Sequence, residues 1–293
     1  MHITLDQDKL NKFIKEENIL QRVKIESYLI PFLNLRPASQ ITIPAEFPKG
    51  AKMGQTIDEK ARPFMLKLQS IKDSRKKVEA IKALKKLLNQ SFEEVVEASE
   101  IYKEHHNWAE NLGLKTYQYQ VRPTVREIYY YMKSSVRREL RKLMNQREKL
   151  RQKARRNPKP ELGGIYLAYP EEFDEKWILN MGKLLGYPEC CSKRYAKDRV
   201  RGINVEKRAA NQLNQKITKE EQVEPYAYPF SYFFPCEPLC ENAIKMGENI
   251  YSELIDFDPI IGSIYGEILR DNLNMVLKQP EIIQRYIKQI KLK

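Results

Sequence analysis

The sequence predicts a mainly α protein with a small β-sheet. A helical N-terminal region, residues 1–157, ends in a long basic helix, and a cysteine-bearing α+β domain follows over 158–293. Three observations predict it. Apolar residues recur at helical spacing in several stretches, as in Val78, Ile81, Leu84 and Leu88 with lysines on the other side. Period-two alternation is confined to short stretches such as Tyr117–Val121. Composition, charge and helical pattern change together at Asn157-Pro-Lys-Pro160.

In chain order, residues 8–30 read as a helix with Leu10, Ile14, Leu20 and Val23 among its apolar positions, stopped near Pro31. A connector bearing Pro37, Pro44 and Pro48 follows, with Gln40–Ile43 as a short strand. Residues 74–89 form the lysine-backed helix. Ser91 and Glu94 fit a capping box, so a new helix is expected from there to Leu112, closed by Gly113. A second box, Thr124 with Glu127, is expected to open the longest helix, 125–156. Ile128, Met132, Val136, Leu140, Leu143 and Leu150 stripe it, and Asn157-Pro158 stops it. Gly163–Tyr169 reads as a strand. A helix from near Glu171 buries Phe173, Trp177, Met181 and Leu185 and ends at Gly186. Pro188 then takes a first helical position, placing Cys190 and Cys191 in an opening turn. Tyr226, Tyr228, Phe230, Tyr232 and Phe234 alternate as an extended stretch leading into Cys236 and another helix start. Asp258-Pro259 opens a core helix with Ile260, Ile261, Ile264, Ile268 and Leu269. Pro280 opens a last one, with Ile283, Ile287 and Ile290 on one side.

At 293 residues, 42% hydrophobic and 31% charged, the chain has the composition of a globular protein. No apolar run reaches the roughly 20 residues that cross a bilayer. The first residues carry acids where a secretory signal needs a basic and then an apolar stretch. A cytoplasmic location is expected, with no membrane partner, and there cysteines serve more often as ligands or reactive thiols than as disulfides. The 16 glutamines do not favour a hyperthermophile, whose interior is the exception. The formal charge of +13 is unevenly placed: residues 122–160 carry a net +11 and residues 171–293 a net −1.

Four cysteines are present, as Cys190-Cys191 and as Cys236-x-x-x-Cys240, each pair following a proline at an expected helix start. Two sulfurs four residues apart share a helix face, and two adjacent ones both approach a site set against the helix end. A helix N-terminus, with about half a positive charge and unpaired N–H groups, favours thiolate. Two such ends would suit a four-thiolate metal centre. The spacing is not that of a zinc ribbon, because the adjacent pair is no knuckle. Zinc, an iron–sulfur cluster, disulfides between the pairs and plain buried thiols stay open. A catalytic thiol has little support, since the histidines, His2, His105 and His106, lie far off in sequence.

Gly186-Tyr-Pro-Glu-Cys-Cys191 followed by Pro235-Cys-Glu-Pro-Leu-Cys240 resembles an archaeal family of unknown function over roughly residues 160–275. The resemblance implies an archaeal cytosolic protein whose motif holds all four cysteines, and it implies no activity.

Arg137, Arg138, Arg141, Lys142, Arg147, Lys149, Arg151, Lys153, Arg155 and Arg156 crowd the second half of the long helix. Such a run reads either as a solvated face or as a grip on RNA or DNA phosphates. Its single sign, sustained over turns, raises the second reading. The 226–234 aromatics fit buried packing better than base stacking. His105-His106 and Asp258 point to packing and to an N-cap. Three functions follow: a metal- or cluster-stabilised protein binding RNA or DNA; a redox or nucleic-acid-modifying enzyme using the cysteines; or a disulfide-stabilised interaction module.

Overall fold

The computed structural model describes residues 5–159, 162, 166 and 168–291, with side chains to 285. It is mainly helical with one small antiparallel sheet among the described residues, and it divides into two compact units, Met1–Ser134 and Ser135–Lys293. The division falls ahead of the basic helix, where the sequence places a boundary after it. The basic helix thus belongs with the cysteines. No helix among the described residues is long and apolar enough to cross a membrane.

In the first unit, α1 (Gln7–Lys15) is capped by Asp6. The expected single helix over 8–30 is instead broken by a turn, then resumes as α2 (Gln21–Val23), a π-helical turn (Lys24–Leu29) and α3 (Ile30–Phe32). Pro31 lies inside this run and does not stop it. The Ser27 carbonyl, four residues before Pro31, accepts the Ser39 hydroxyl at 2.6 Å in place of a helical N–H. After β1 (Ala38–Ile43) comes α4 (Gly50–Ser70), absent from the sequence expectation and containing Pro63.

α5 (Ser74–Phe92) runs directly into a second π-turn, Glu93–Glu97, so the expected capping box at Ser91 is unused. The break falls at Ser99, whose hydroxyl accepts the Tyr102 N–H and caps α6 (Glu100–Asn111). Gly113 closes α6 at a φ of +67°. β2 (Lys115–Arg122) and β3 (Val125–Tyr131) then form a hairpin, and β3 is central in the order β1-β3-β2.

The second expected box, Thr124 with Glu127, is therefore a turn and a strand. Val125–Tyr131 is rich in β-branched and aromatic residues, and Ile128 through Tyr131 are all buried, as in a strand covered on both faces. The Tyr28 hydroxyl stands 2.9 Å from that of Tyr130 and 2.8 Å from His105 Nδ1, joining sheet and helices through a buried polar cluster.

In the second unit, α7 (Ser134–Arg156) is the basic helix, starting later than expected. The strand expected over 163–169 lies largely outside the described residues; Tyr166 and Ala168 are helical. A 3-10 turn, Pro170–Phe173, precedes α8 (Glu175–Leu184), capped by Asp174 and closed by Gly186 at φ +72°. Then come α9 (Glu189–Val200), α10 (Val205–Thr218), α11 (Glu241–Phe257) and α12 (Pro259–Lys291). Asp258 caps α12 as expected, accepting from the N–H groups of Ile260 and Ile261. α12 passes through Pro280 without the expected break.

The extended stretch expected over 226–234 is corrected: among the described residues of this unit there is no strand. Residues 226–234 pass through a 3-10 turn and irregular turns, with Tyr228, Phe230, Phe233 and Phe234 buried and Tyr232 exposed. Pro225, Pro229 and Pro235 withhold the N–H groups that a ladder needs. The aromatics pack as core, with Tyr228 and Phe234 against Val205, Leu213 and Val276.

Candidate functional site

Cys190 and Cys191 lie in the first turn of α9, as expected, although Pro188 is the residue before the helix and not its first member. Cys240 is the N-cap of α11, and Cys236 sits in the turn ahead of it. The helix face expected to carry both is absent. Pro238 disfavours a helical Glu237, and the turn, with the Cys240 N–H on the Glu237 carbonyl at 3.2 Å, folds the pair together instead.

All four Sγ atoms lie within 4.8 Å of one another. Cys190 is 3.9 Å from Cys191 and 3.6 Å from Cys240, and Cys191 is 3.6 Å from Cys240. All four are free thiols, well beyond the roughly 2.05 Å of a disulfide. Cysteines about 50 positions apart in sequence thus share one small volume at the starts of α9 and α11.

Two residues that the sequence does not single out hold this arrangement. Arg208 of α10 gives Nη1 to the Pro235 carbonyl at 2.7 Å and Nε to Asp198 of α9 at 3.0 Å. It thereby ties the Cys236 turn to the helix bearing the other pair. Asn242, in the first turn of α11, donates Nδ2 to Cys190 Sγ at 3.4 Å. The i,i+4 pair of Arg194 with Asp198 is legible in sequence; the tie from Arg208, made between helices, is not.

Burial pushes the Cys191 thiol well up and the Cys236 thiol up to about 12, in each case with neighbouring sulfurs adding to the rise. At Cys190 burial also acts upward, but hydrogen bonds from Asn242 and the other thiols prevail and lower its value. Ionisation is thereby eased at Cys190. Further ionisation sets like charges side by side, and a soft cation among the sulfurs removes that obstacle. The arrangement is compatible with a bound metal ion.

The ten basic residues of α7 divide into two groups. Arg147 and Arg151 do not face solvent. Arg147 Nε meets Glu171 Oε1 at 2.6 Å and Arg151 Nη2 meets the same oxygen at 2.7 Å, with Glu171 wholly buried. Burial would raise the Glu171 carboxyl, but the two guanidiniums overcome it and hold it below the usual carboxylate value. Arg147 also lies over the Trp177 ring, 5.2 Å from its centre. The expectation that these two arginines touch nucleic acid is therefore corrected: they sit on the stripe that α7 turns inward, with Val136, Leu140, Leu143 and Met144. The other eight are exposed. At about 100° per residue they fall on an arc of roughly 160° opposite that stripe.

In the first unit His105 is buried and His106 packs edge-on against Tyr102 at 4.6 Å, and neither joins a ligand cluster among the described residues.

A family model described as a protein of unknown function (DUF483) matches residues 114–264, just over half of the chain. The match takes in the basic helix and all four cysteines. An uncharacterised protein, MJ1106, of Methanocaldococcus jannaschii is 36% identical over 81 residues, which are 28% of this chain and 43% of that protein. The aligned part spans less than half of the relative's length. No solved structure matches the chain.

Proposed function

The chain belongs to the DUF483 family, and we propose that its second unit is a metal-stabilised domain that binds RNA or DNA. Cys190, Cys191, Cys236 and Cys240 would hold one ion, and the outer face of α7 would hold the strand. One observation carries the metal reading: three of the sulfurs stand 3.6–3.9 Å apart, and all four lie within 4.8 Å. Tetrahedral zinc with bonds of about 2.3 Å places its sulfurs roughly 3.8 Å apart. A cluster sets irons and sulfides between its cysteines and spreads them wider. The spacing thus favours a single ion, zinc above all, over an iron–sulfur cluster. The closed set of four thiolates leaves no open position, which favours a structural over a catalytic role.

The nucleic-acid reading rests on Arg137, Arg138, Arg141, Lys142, Lys149, Lys153, Arg155 and Arg156, all exposed on one arc, with only Glu139 and Glu148 among the exposed acids of the same helix. Metal analysis of anaerobically purified protein tests the first half. One zinc per chain in a colourless protein is expected; a brown, iron- and sulfide-containing protein, or none with metal, overturns it. Filter binding of mixed RNA and duplex DNA at rising salt tests the second. No binding, or binding indifferent to salt, removes it.

A further inference from the structure

In the first unit α4 and α5 pack as a helical hairpin. Its outer part, residues 62–90, contains no buried residue, although Ala61 and Ser91 at its base are both buried. This part carries nine lysines and arginines against two acids, a net +7. The rest of residues 1–121 carries eleven against fourteen, a net −3, so the charge belongs to the hairpin and not to the unit. All nine cations are exposed. Lys60, at the base, pairs with Glu94 at 2.7 Å; beyond it none of the nine has an ion-pair partner among the described residues. Of the two acids, Asp73 is committed to capping α5, accepting the Lys76 N–H at 2.8 Å.

The cations of α5 form a ridge. At about 100° per residue, Arg75, Lys82 and Lys86 fall within about 40° of one another. The half-buried Ile81, Leu84 and Leu88 lie on the other side of the helix. The ridge runs about 17 Å along the axis at 1.5 Å per residue. Over that length one strand of a DNA duplex presents about five phosphates, one per 3.4 Å. Glu79 is the only acid between Arg75 and Lys86.

Charge and pattern select the occupant. A second copy brings the same +7 and is repelled. A lipid surface needs one apolar face flanked by cations, but the exposed Phe64, Met65 and Leu66 are consecutive and point about 100° apart. A partner helix needs an open apolar stripe, and that of α5 is already half-buried. Single strands are held by rings stacked on bases, and Phe64 is the one aromatic residue of the hairpin. From Arg75 to Lys86 there is no uncharged polar residue to read the 2′-hydroxyl of RNA. A stiff polyanion met by charge alone is left.

We propose that the α4–α5 hairpin is a second nucleic-acid surface, which docks on the phosphate backbone of duplex DNA irrespective of sequence. It lies outside the residues matched by the family model and does not rest on the reading of α7.

Fluorescence anisotropy of the full chain on a mixed-sequence DNA duplex at rising salt tests it. Arg75→Gln with Lys82→Gln and Lys86→Gln should reduce the salt slope by up to about 2.7, at about 0.9 per lost contact, with the melting temperature nearly unchanged. Arg75→Lys with Lys82→Arg and Lys86→Arg keeps every charge and should keep the slope. An unchanged slope in the glutamine variant, an equal loss in the charge-keeping one, or no binding of duplex DNA by the unaltered chain overturns the proposal. So does a loss in the glutamine variant confined to duplex RNA, to single strands or to phosphatidylserine vesicles. A slope lowered by the hairpin substitutions alone leaves this proposal standing and removes the α7 reading. One lowered by Lys149→Ala with Lys153→Ala alone does the reverse.

Discussion

Arg147 Nε lies 2.6 Å from the Oε1 of Glu171, and neither side chain is more than 4% exposed. An arginine in the middle of a strongly basic helix is thus spent on the interior. With Arg151 on the same oxygen, the carboxylate serves two guanidiniums. Removing one partner of such a buried group strands charge without water, which costs more than the pair itself contributes. Glu171→Gln should therefore destabilise the second unit by about 3–5 kcal/mol, read as a lower midpoint in urea. High salt should not reproduce the loss, as it would for a surface pair. The lowered carboxyl value sets the pH sign. This contribution is complete above the ordinary carboxylate range and disappears as pH falls through the folded value, below 4.5.

If the outer arc of α7 holds the strand, the two groups of cations behave oppositely. Lys149→Ala with Lys153→Ala should reduce the salt slope of nucleic-acid affinity by up to about 0.9 per lost contact on duplex DNA, and about 0.7 on single strands, with the urea midpoint nearly unchanged. Arg147→Met should lower the midpoint. Equal slopes in the lysine variant and the unaltered chain would move the contact away from this arc.

Metal retention depends on the tie between Arg208 and the Cys236 turn. Arg208→Met leaves all four thiols present but frees the Pro235 carbonyl and the shared Asp198. Affinity should fall about 10- to 100-fold, as for other groups that orient ligands, measured by competition with a chromogenic chelator. Cys191→Ser should lower the melting temperature and make it insensitive to chelator. A chelator that leaves the melting of the unaltered chain unmoved would refute a structural ion.

His105 gives the first unit a pH dependence of its own. Burial, with His106 beside it, pushes its value down to about 3 from 6.5. The folded chain keeps it neutral in a range where the unfolded chain takes up a proton. Stability is therefore lost as pH falls from 6.5 towards 3, with a slope approaching about 1.4 kcal/mol per pH unit, and is unaffected by this group above 6.5. Urea midpoints at about pH 7.5 and about pH 5 should diverge less in His105→Asn, which keeps an acceptor for Tyr28 and cannot be protonated. Equal divergence would exclude His105 as the source.

Local signals were legible where local chemistry decides. Gly113 and Gly186 end helices at positive φ, Asp258 caps α12, and the first turn of α9 carries its two cysteines. The same kind of signal misled where packing overrides it. Thr124 and Glu127 have the letters of a capping box, yet burial of Ile128 through Tyr131 makes that segment a strand. Pro31 reads as a stop and Pro280 as a start, but both lie inside helices.

By itself the sequence determined that the protein is mainly helical, that its cations crowd particular helices, and that its thiols come as two pairs near helix starts, because propensity, periodicity and composition are properties of neighbouring residues. Only the tertiary structure decided that the four sulfurs share one volume, that Arg147 and Arg151 turn inward to Glu171, and that Arg208 ties the Cys236 turn to α9. Each of these joins residues on different elements. Their free energy arises from desolvation and contact on packing, which no spacing along the chain records.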